Sequence, residues 1–488
     1  MDTELQKNEL TIHSAKDRHL DQSIPSRVLF DVSDLSRWAG PAVGIIRVEA
    51  ELARWAAQNI DNVVFVFFDP ESGAYREINR KWISPLIERS VSVNPWILPN
   101  TRGRRHRSDR IPRSIRPAAM WIFQFRRSVL LLLERIRLEA RNPTIKGMAE
   151  RLQTPLITGR YRPYMFHADG TRRSVVSYRS FLGRKIEFTS KDTLICAGAP
   201  WEHSDVHSIK SHKERHGFRF VALCYDIIPL QFPHFYKEPD VVAFRDYYHT
   251  AFPLADVVVF TSHAIERDTL AYCDTHHLKI NQTRVVPPGA DAVVRKPSAN
   301  LTLPSGIQRG RYALFVSTIE PRKGHQLIYS VWLRLLAEGI PQNNEFKLVF
   351  VGRPGWKVEG LIDRLKNDAR LGNSLQLLTS ADDDLLAALY EGAAFCIYPS
   401  VYEGYGLPII EAFSRNKALL ASTGGAIPEV VAGLSPCLDP HDEGLWHSML
   451  MKWIVDPGAR APYEIDIRNR FKPTTWSSSA KGFFDAVR

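Results

Sequence analysis

The chain has 488 residues, more than one hydrophobic core usually spans, so we expect two domains. Its composition, 44% hydrophobic and 24% charged, is typical of an ordinary globular protein. Of the net charge of +11, nine charges come from residues 100–142, where twelve arginines face three acidic residues. This local excess predicts one anionic partner surface and argues against general affinity for nucleic acid.

Several classes of protein are excluded by what the sequence lacks. The five cysteines form no Cys-x-x-Cys pair, so neither a disulfide framework nor a cysteine zinc site is predicted. The longest aliphatic run, 129–133, is far shorter than the roughly 20 residues that span a bilayer. Residues 1–27 form a polar tail without the apolar stretch of a signal peptide. We therefore expect a cytoplasmic protein.

The N-terminal half alternates apolar strands with helices. Strands are predicted at 28–32, 63–68, 193–197, 218–224, 256–260 and 284–286, and helices at 45–58, 240–252 and 264–273. A glycine-containing loop precedes the first long helix, as at the start of a doubly wound domain. Residues 295–310 are rich in Pro, Ser and Gly and are interpreted as a linker, so that 28–300 forms the first domain.

A second α/β unit follows over residues 305–470. Its strands are predicted at 312–316, 347–351, 375–378, 395–398 and 418–421, with helices between them. Strands that are apolar throughout are buried on both faces, which indicates a parallel sheet. A last amphipathic helix, 476–487, is expected to pack back on the N-terminal domain. We predict two Rossmann-like domains that face each other across a cleft, with the ligand at the carboxyl ends of the strands.

The strongest chemical signal follows the predicted strand 395–398, in the loop that holds Glu403, Gly404 and Gly406. The two glycines allow a tight turn and a close approach to a ligand. A helix is predicted to begin near Leu407, and the N–H groups at its start point into the loop, where they can hold phosphate. Glu411 lies about one turn inside that helix, so two carboxylates are available for the hydroxyls of a sugar nucleotide.

A second signal follows the predicted strand 312–316, where Arg322 and Lys323 form a basic turn. A diphosphate leaving group gains negative charge as a glycosidic bond breaks, and cations already fixed in place stabilise that charge. Arginine can bind two oxygens at once, whereas lysine acts as a point charge.

These segments resemble the retaining glycosyltransferases of family four, which have the GT-B fold. Glu403 and Glu411 are similar to the Glu-x7-Glu signature, and 317–324 looks like the Glu-Pro-Arg-Lys loop. The resemblance covers nearly all of residues 305–488 and implies that Glu403 contacts the donor sugar, Glu411 the ribose, and the basic pair the diphosphate. It implies further donor contacts at Gly404, Tyr405, Gly406, Leu407, Gly352 and Arg353. Many members carry an arginine where this chain has Ser317, so Arg322 would make more of the phosphate contact.

The N-terminal half resembles the family less closely. Gly44 and Arg47 lie in a Gly-Ile-Ile-Arg-Val stretch like that of bacterial enzymes that build surface polysaccharides. The resemblance implies that Gly44 lies near the diphosphate, while Arg47 either faces the cleft or lies on the helix surface. Asp226 follows a predicted strand at a position where it would meet the sugar or the acceptor hydroxyl. Tyr225 stands where the family often has histidine.

Two features remain open at this level. His203, His207, His212 and His216 are spaced for one helix face, but their polar neighbours favour an exposed segment over a metal site, and the family needs no metal. Residues 70–190 break the strand–helix alternation and are interpreted as an arginine-rich insertion. Its apolar residues at helical spacing predict a helix that either lies on an anionic membrane through Arg102 to Arg141 or packs on its own domain.

The sequence thus predicts a metal-independent, retaining hexosyltransferase without a cofactor. The expected donor is a GDP- or UDP-linked sugar, with GDP-mannose suggested by the resemblance, and the expected acceptor is a lipid-linked or growing bacterial glycan. The alternatives are a catalytically silent subunit of the same fold that binds nucleotide or a partner, and a membrane-recruitment module. The enzyme would reside in the cytoplasm or peripherally on the inner face of the plasma membrane.

Overall fold

The computed structural model describes residues 26–38, 44–70, 72–93, 116–140, 142–157, 164–166, 172–290 and 303–488. Most of the predicted polar tail, half of the predicted linker and the arginines from 102 to 113 lie outside these ranges. The chain divides into two compact units, Met1–Val221 and Ala222–Arg488. The division falls within one strand, Arg219–Cys224, so each unit contains part of it.

Unit 1 begins with the predicted strand and the predicted helix near residues 45–58, with a short helix between them, Ser33–Arg37, that was not predicted. Its strands are β1 (Val28–Asp31), β2 (Val63–Asp69), β3 (Ala74–Ile78), β4 (Val91–Val93), β5 (Tyr164–Phe166), β6 (Arg172–Val176), β7 (Leu182–Lys185), β8 (Thr193–Cys196) and β9 (Arg219–Cys224). Its helices are α1 (Ser33–Arg37), α2 (Ile45–Asn59), α3 (Ile83–Ile87), α4 (Arg116–Glu139), α5 (Pro143–Gln153), α6 (Tyr178–Phe181), α7 (Pro200–His203) and α8 (Val206–His216).

The main sheet of unit 1 has the order β9-β8-β1-β2-β3-β7. The strands β8, β1 and β2 are parallel, whereas β3 and β7 continue the sheet in antiparallel pairs. The expectation that the alternation simply stops after residue 70 is therefore wrong in part, since two strands of the predicted insertion extend the main sheet. A separate three-stranded sheet, β4-β6-β5, and the helices α4 and α5 make up the rest of this region.

Unit 2 contains the end of β9 and the rest of the chain. Its strands are β10 (Val257–Phe260), β11 (Thr283–Val285), β12 (Tyr312–Val316), β13 (Lys347–Val351), β14 (Leu375–Leu378), β15 (Phe395–Tyr398), β16 (Leu419–Ser422) and β17 (Cys437–Leu438). Its helices are α9 (Ile228–Gln231), α10 (Glu238–Leu254), α11 (His263–Thr275), α12 (His325–Ala337), α13 (Ile340–Asn343), α14 (Glu359–Asn367), α15 (Asp383–Gly392), α16 (Leu407–Phe413), α17 (Ile427–Val431), α18 (Glu443–Val455), α19 (Ala461–Arg470) and α20 (Trp476–Val487).

A six-stranded sheet with the order β14-β13-β12-β15-β16-β17 organises the second half of unit 2. All its pairings are parallel, as the apolar strands predict. Helices pack on it to form one hydrophobic core that extends from Ile307 to Ile467. This order places the carboxyl ends of β12 and β15 side by side, which is where a doubly wound sheet binds its ligand.

The first strands of unit 2 lie in the order β9-β10-β11, and β10 pairs with β11 in parallel. The C-terminal helix α20 contacts the segment that follows β11. Ser479 Oγ donates to Pro287 O at 2.7 Å, and a β-carbon on Gly289 would overlap the backbone of Trp476. Within the ranges given above, no helix is long and apolar enough to cross a membrane.

Candidate functional site

Two loops meet at the carboxyl edge of the six-stranded sheet. The first leaves β12 and forms a 3-10 turn, Pro321–Lys323, before α12, and the second leaves β15 and runs to Gly406 at the start of α16. The strands are adjacent and parallel, so both loops emerge at the same edge. The Val401 N–H donates to Arg322 O at 2.7 Å and ties one loop to the other.

Three of the predicted catalytic residues form one ion cluster between these loops. Arg322 Nη1 lies 2.8 Å from Glu403 Oε2, and Lys323 Nζ lies 2.6 Å from Glu403 Oε1. All three side chains are largely buried. Arg322 Nη1 also donates to Tyr402 O at 3.1 Å, and Arg322 Nε lies 3.5 Å from a carboxylate oxygen of Glu320. Arg322 and Lys323 are about 80 residues from Glu403 in the sequence, and the fold brings them into direct contact.

The cluster sets the charge of Glu403. Burial by itself would raise the pKa of this carboxyl group, but Arg322 and Lys323 reverse the effect and hold the pKa at about 2. Burial and the neighbouring Arg322 lower the pKa of Lys323, while Glu403 opposes them. The contact of 2.6 Å between ammonium and carboxylate indicates that both groups are charged. The site therefore carries one carboxylate and two cations whose positions are already fixed.

The cations retain capacity for a ligand. An ammonium group carries three N–H donors. Within the described part of the chain, the hydrogen bond from Lys323 Nζ goes to Glu403 alone. The chemistry that suits such a site is the binding of an anion with several oxygens, such as a diphosphate.

The glycines of the second loop allow close backbone packing. A β-carbon on Gly404 would overlap Tyr225 O, and Gly406 has φ of +110°, which favours glycine. The carbonyl oxygen of Gly404 accepts hydrogen bonds from Thr261 Oγ1 at 3.1 Å and Ser262 Oγ at 3.2 Å. The loop is thus held against the residues that follow β9 and β10.

Asp226 lies beside this loop and belongs to the same electrostatic group. Burial raises the pKa of its carboxyl group, and Arg322 partly offsets that effect. One carboxylate oxygen, Oδ1, accepts from the Ile228 N–H at 3.1 Å. The structure therefore brings Asp226 together with the ion cluster, while its predicted contact with the sugar or the acceptor hydroxyl stays a prediction.

Glu411 lies on α16, which has only seven residues. Its Oε2 accepts from the hydroxyl of buried Tyr390 at 2.8 Å, so the carboxylate is held in place. Tyr405 and Leu407 are half-buried on either side of Gly406, and burial raises the pKa of Tyr405 to about 12. The assignment of these residues to donor contacts remains a prediction.

The remaining predicted donor residues lie in different places. Gly352 packs against Ser317, whose carbonyl oxygen a β-carbon would overlap. The carbonyl of Arg353 accepts from Ile319 N at 3.0 Å, while its side chain is exposed. Gly44 and Arg47 belong to unit 1, where Gly44 has φ of +53° and begins α2. Their predicted contact with the donor stays a prediction.

The sequence analysis did not predict the hydrogen bonds that Glu429 and Tyr402 make near the ion cluster. The carboxylate of Glu429 accepts from His263 N at 3.1 Å and Ala264 N at 2.9 Å, so it satisfies the first turn of α11. Tyr402 donates its hydroxyl to Asp268 at 2.6 Å. The signal that was available is Thr-Ser directly after an apolar strand, which is a typical helix start and marks this loop as polar and ordered.

The histidines that invite a metal hypothesis lie on α7 and α8. His203 Nε2 is 3.9 Å from Asp34 Oδ1, and the rings of His212 and His216 stack with centroids 5.9 Å apart. Among the residues for which coordinates are described, no group of three or more His, Cys, Asp or Glu side chains is arranged to hold a metal ion.

Residues 305–468, which contain the ion cluster, match the family described as Glycosyl transferases group 1. A serotype-specific mannosyltransferase, WbdA of Escherichia coli, is 30% identical over 206 residues, which is 40% of this chain and 25% of that protein. O-antigen chain mannosyltransferase B of Escherichia coli is 31% identical over 149 residues, 30% of this chain and 38% of that protein.

An MMP alpha-(1->4)-mannosyltransferase of Mycolicibacterium hassiacum is 34% identical over 158 residues, 32% of this chain and 35% of that protein. This chain therefore covers about a quarter to two fifths of the length of these three relatives.

Solved structures of the same fold cover nearly the whole chain. Sucrose-phosphate synthase from Thermosynechococcus elongatus has a TM-score of 0.53 at 17% identity and covers 94% of this chain and 98% of its own. Anabaena HepE, in complex with UDP and glucose, has a TM-score of 0.51 at 11% identity and covers 95% and 99%. The predicted fold class, α/β of the GT-B type, is confirmed.

Proposed function

We propose that this protein, in which residues 305–468 form a glycosyltransferase group 1 domain, moves a hexose from a nucleotide sugar to a glycan acceptor with retention of configuration. The observation that carries the proposal is the buried cluster of Glu403, Arg322 and Lys323 at the carboxyl edge of the parallel sheet. A merely structural turn would not need two cations and a carboxylate at the place where such sheets bind ligands.

In the proposed reaction the cations bind the donor diphosphate. As the bond between the sugar and the diphosphate breaks, negative charge develops on the leaving group, and Arg322 and Lys323 stabilise it without reorganising. Glu403 orients both cations and accepts a hydrogen bond from the sugar. Glu411, fixed by Tyr390, accepts from the ribose hydroxyls.

Asp226 completes the proposed site on the acceptor side. Burial raises the pKa of this carboxyl group and so favours its accepting a proton as the acceptor hydroxyl attacks. No metal ion is assigned a role, because two cations already supply the positive charge that a metal would give.

For the donor we propose GDP-mannose, and for the acceptor a lipid-linked or growing bacterial glycan. The support is that three relatives with about 30% identity are named as mannosyltransferases, one of them for the O-antigen chain. The family match over residues 305–468 includes both loops of the ion cluster, which is where sugar and base specificity would reside.

The helices α4 and α5 support a peripheral membrane location on the cytoplasmic face. Their exposed apolar residues are Trp121, Ile122, Phe125, Leu132, Ile136, Ile145, Met148 and Leu152. The side chain of Trp121 is 65% exposed and that of Phe125 is 60% exposed, although helices of a domain normally bury such residues. We propose that this face, the α4–α5 apolar face, inserts into the surface of an anionic membrane.

Two arginines of α4 contact groups of the same region, while the predicted membrane contact through Arg102 to Arg141 stays a prediction. Arg126 Nε donates to Leu156 O at 2.7 Å, and Arg135 Nε lies 3.1 Å from Glu139. These two residues therefore make contacts within the region, and the apolar side chains are the better test of membrane binding.

The decisive experiment for the activity is turnover of a panel of nucleotide sugars, measured as release of the nucleoside diphosphate, with and without EDTA. We expect one donor, GDP-mannose, to be hydrolysed and the rate to be unchanged by EDTA. Binding of a nucleotide without turnover of any donor would instead favour the silent subunit. Loss of activity in EDTA, restored by Mn²⁺ or Mg²⁺, would show that the diphosphate is held differently.

Membrane binding is tested by sedimentation with anionic vesicles. We expect the triple variant Trp121→Ser, Phe125→Ser, Leu132→Ser to lose most of its binding, because the inserted apolar area is removed. A matched control carries Val455→Ser and Ile465→Ser, which are exposed apolar residues of unit 2. Equal sedimentation of the triple variant and the wild type, or no binding by either, would exclude the α4–α5 apolar face as the membrane contact.

A further inference from the structure

The small sheet β4-β6-β5 contains a buried arginine that lacks a counterion. The side chain of Arg173, on β6, is 1% exposed. Its Nε donates to Val91 O at 3.2 Å. Its two terminal nitrogens, Nη1 and Nη2, are buried without a hydrogen-bond partner in the described structure.

The charges around Arg173 are positive. Burial and, to a smaller extent, the nearby charge of Arg89 lower the pKa of its guanidinium to about 10. In the part of the chain that the structure describes, no carboxylate contributes to the electrostatics of this group. Arg89 is held in the left-handed region, with φ of +62°, which most residues with side chains avoid.

The carboxylate of α4 that contacts β6, Glu134, is already paired. Glu134 accepts from Arg137 Nη2 at 2.9 Å and from Ser174 Oγ at 2.6 Å. Ser174 follows Arg173 on β6, and successive side chains of a strand point to opposite faces of its sheet. Glu134 therefore lies on the face of the sheet opposite to Arg173, and the charge of Arg173 needs a separate partner.

Buried charges in proteins are almost always paired, because an isolated one loses its hydration without compensation. The terminal nitrogens of a guanidinium form a planar fork that fits two oxygens of one anion. A second arginine beside the fork favours an anion with more than one negative charge over a single carboxylate. Phosphate meets both requirements.

We propose that Arg173, together with Arg89, forms a binding site for a phosphate group in the N-terminal unit. The phosphate belongs either to a soluble ion or ester or to the headgroup of a lipid. This site is separate in sequence and in residues from the donor cluster of Arg322 and Lys323, and it goes beyond the proposed transfer reaction.

The test is the thermal unfolding midpoint of the full chain in increasing inorganic phosphate, against sodium chloride at equal ionic strength. All variants carry Lys323→Ala, so that phosphate bound at the donor cluster contributes less. A ligand that binds the folded state raises the midpoint. We expect phosphate to raise it more than chloride does, and Arg173→Met to weaken the apparent phosphate affinity about tenfold or more, as expected for two lost charge-assisted bonds.

The matched control is Arg184→Met, which removes the same charge from a side chain that is 91% exposed. This control should keep the phosphate effect. If Arg173→Met fails to fold, Arg89→Met, at a half-buried position, takes its place with the same expected loss. The proposal would be overturned if phosphate raised the unfolding midpoint no more than sodium chloride does. It would also be overturned if phosphate raised the midpoint of Arg173→Met as much as that of the protein with Arg173, or if Arg173→Met had a higher midpoint than that protein by the same amount in both salts.

A second arm distinguishes the sources of the phosphate. Vesicles of phosphatidic acid in phosphatidylcholine are added to the wild type and to Arg173→Met, with pure phosphatidylcholine as the reference. Binding that depends on both phosphatidic acid and Arg173 assigns the site to a lipid headgroup. A response to inorganic phosphate without any dependence on the vesicles assigns it to a soluble phosphate.

Discussion

Two groups of buried carboxylates, one in each unit, differ in how their charge is compensated. In unit 2, Glu403 lies between Arg322 and Lys323, and its pKa is held at about 2. In unit 1, Asp34 and Glu49 are equally buried, and the pKa values of both are raised, that of Asp34 to about 8. Burial is the first cause in each case, and the contacting cations decide the opposite outcomes.

Arg37, the cation that opposes the rise in the pKa of Asp34, donates its hydrogen bonds to backbone carbonyl groups. Arg37 Nη1 donates to His203 O at 2.8 Å, and Nη2 donates to Phe68 O at 2.9 Å. Asp34 Oδ2 accepts from the Ala199 N–H at 2.7 Å, and Glu49 Oε1 accepts from Leu35 N at 3.3 Å. The comparison teaches that direct contact with cations favours the charged form of buried Glu403, whereas burial without such contact favours the protonated forms of Asp34 and Glu49.

The largest effect on turnover is expected from Lys323→Ala. It removes one preorganised cation while Arg322 still holds Glu403, so the fold should persist and donor turnover should fall about a hundredfold or more. The measurement is the steady-state rate of diphosphate release, with circular dichroism to verify folding. The exposed Lys366→Ala serves as the control and should behave as wild type. A folded Lys323 variant with the wild-type rate would contradict the assignment of the diphosphate.

A smaller and more specific effect separates the two glutamates. Glu403→Gln should lower kcat about tenfold or more, because its carboxylate orients the cations and the sugar in the transition state. Glu411→Ala should mainly raise the donor KM, about tenfold, since a ribose contact is equally strong in the ground and transition states. Initial rates over a range of donor concentrations distinguish the two. Exchanged kinetic signatures would mean that the roles are reversed.

The smallest effect on turnover is expected from Asp34→Asn. This substitution should instead change how the free energy of unfolding depends on pH. Between pH of about 4 and 8 the folded state holds a proton on Asp34 that the unfolded state has lost, so wild-type stability falls as pH rises through this window. The free energy of unfolding of the variant, relative to that of the wild type, should rise by at most about 1.4 kcal/mol per pH unit in this window. Above the window the difference should stay constant. Urea unfolding across this pH range tests the difference.

The exposed Asp274→Asn is the control for this experiment and should show no such dependence. A difference between Asp34→Asn and wild type that stays constant from pH 4 to 8 would show that Asp34 is ionised in the folded protein. The contrast between the two carboxylate groups would then not hold.

The sequence was most informative where burial dominates. The strands Tyr312–Val316, Lys347–Val351, Leu375–Leu378 and Phe395–Tyr398 begin and end at the predicted residues. Three of them are largely apolar runs that the parallel sheet buries on both faces, and the fourth, the half-buried edge strand Leu375–Leu378, keeps three leucines. The loops after two of these strands brought Arg322, Lys323 and Glu403 together, because adjacent parallel strands end at one edge.

The sequence was less informative where pairing decides the structure. The strands Ala74–Ile78 and Leu182–Lys185 carry charged residues and have weak strand patterns, yet they extend the main sheet of unit 1. They pair across a gap of about a hundred residues, which no local pattern encodes. For the same reason the hydroxyls of Thr261 and Ser262 could not be assigned to the carbonyl of Gly404.

The hydrogen bonds on the Gly404 carbonyl have a consequence for engineering. Enzymes with two α/β halves invite the construction of chimeras in which one donor half replaces another at the linker. Here such an exchange, made between residues 295 and 310, would separate Gly404 from Thr261 and Ser262, and Glu429 from the backbone of His263 and Ala264. A chimera that keeps donor specificity should therefore transplant residues 225–226 and 261–264 along with the C-terminal domain.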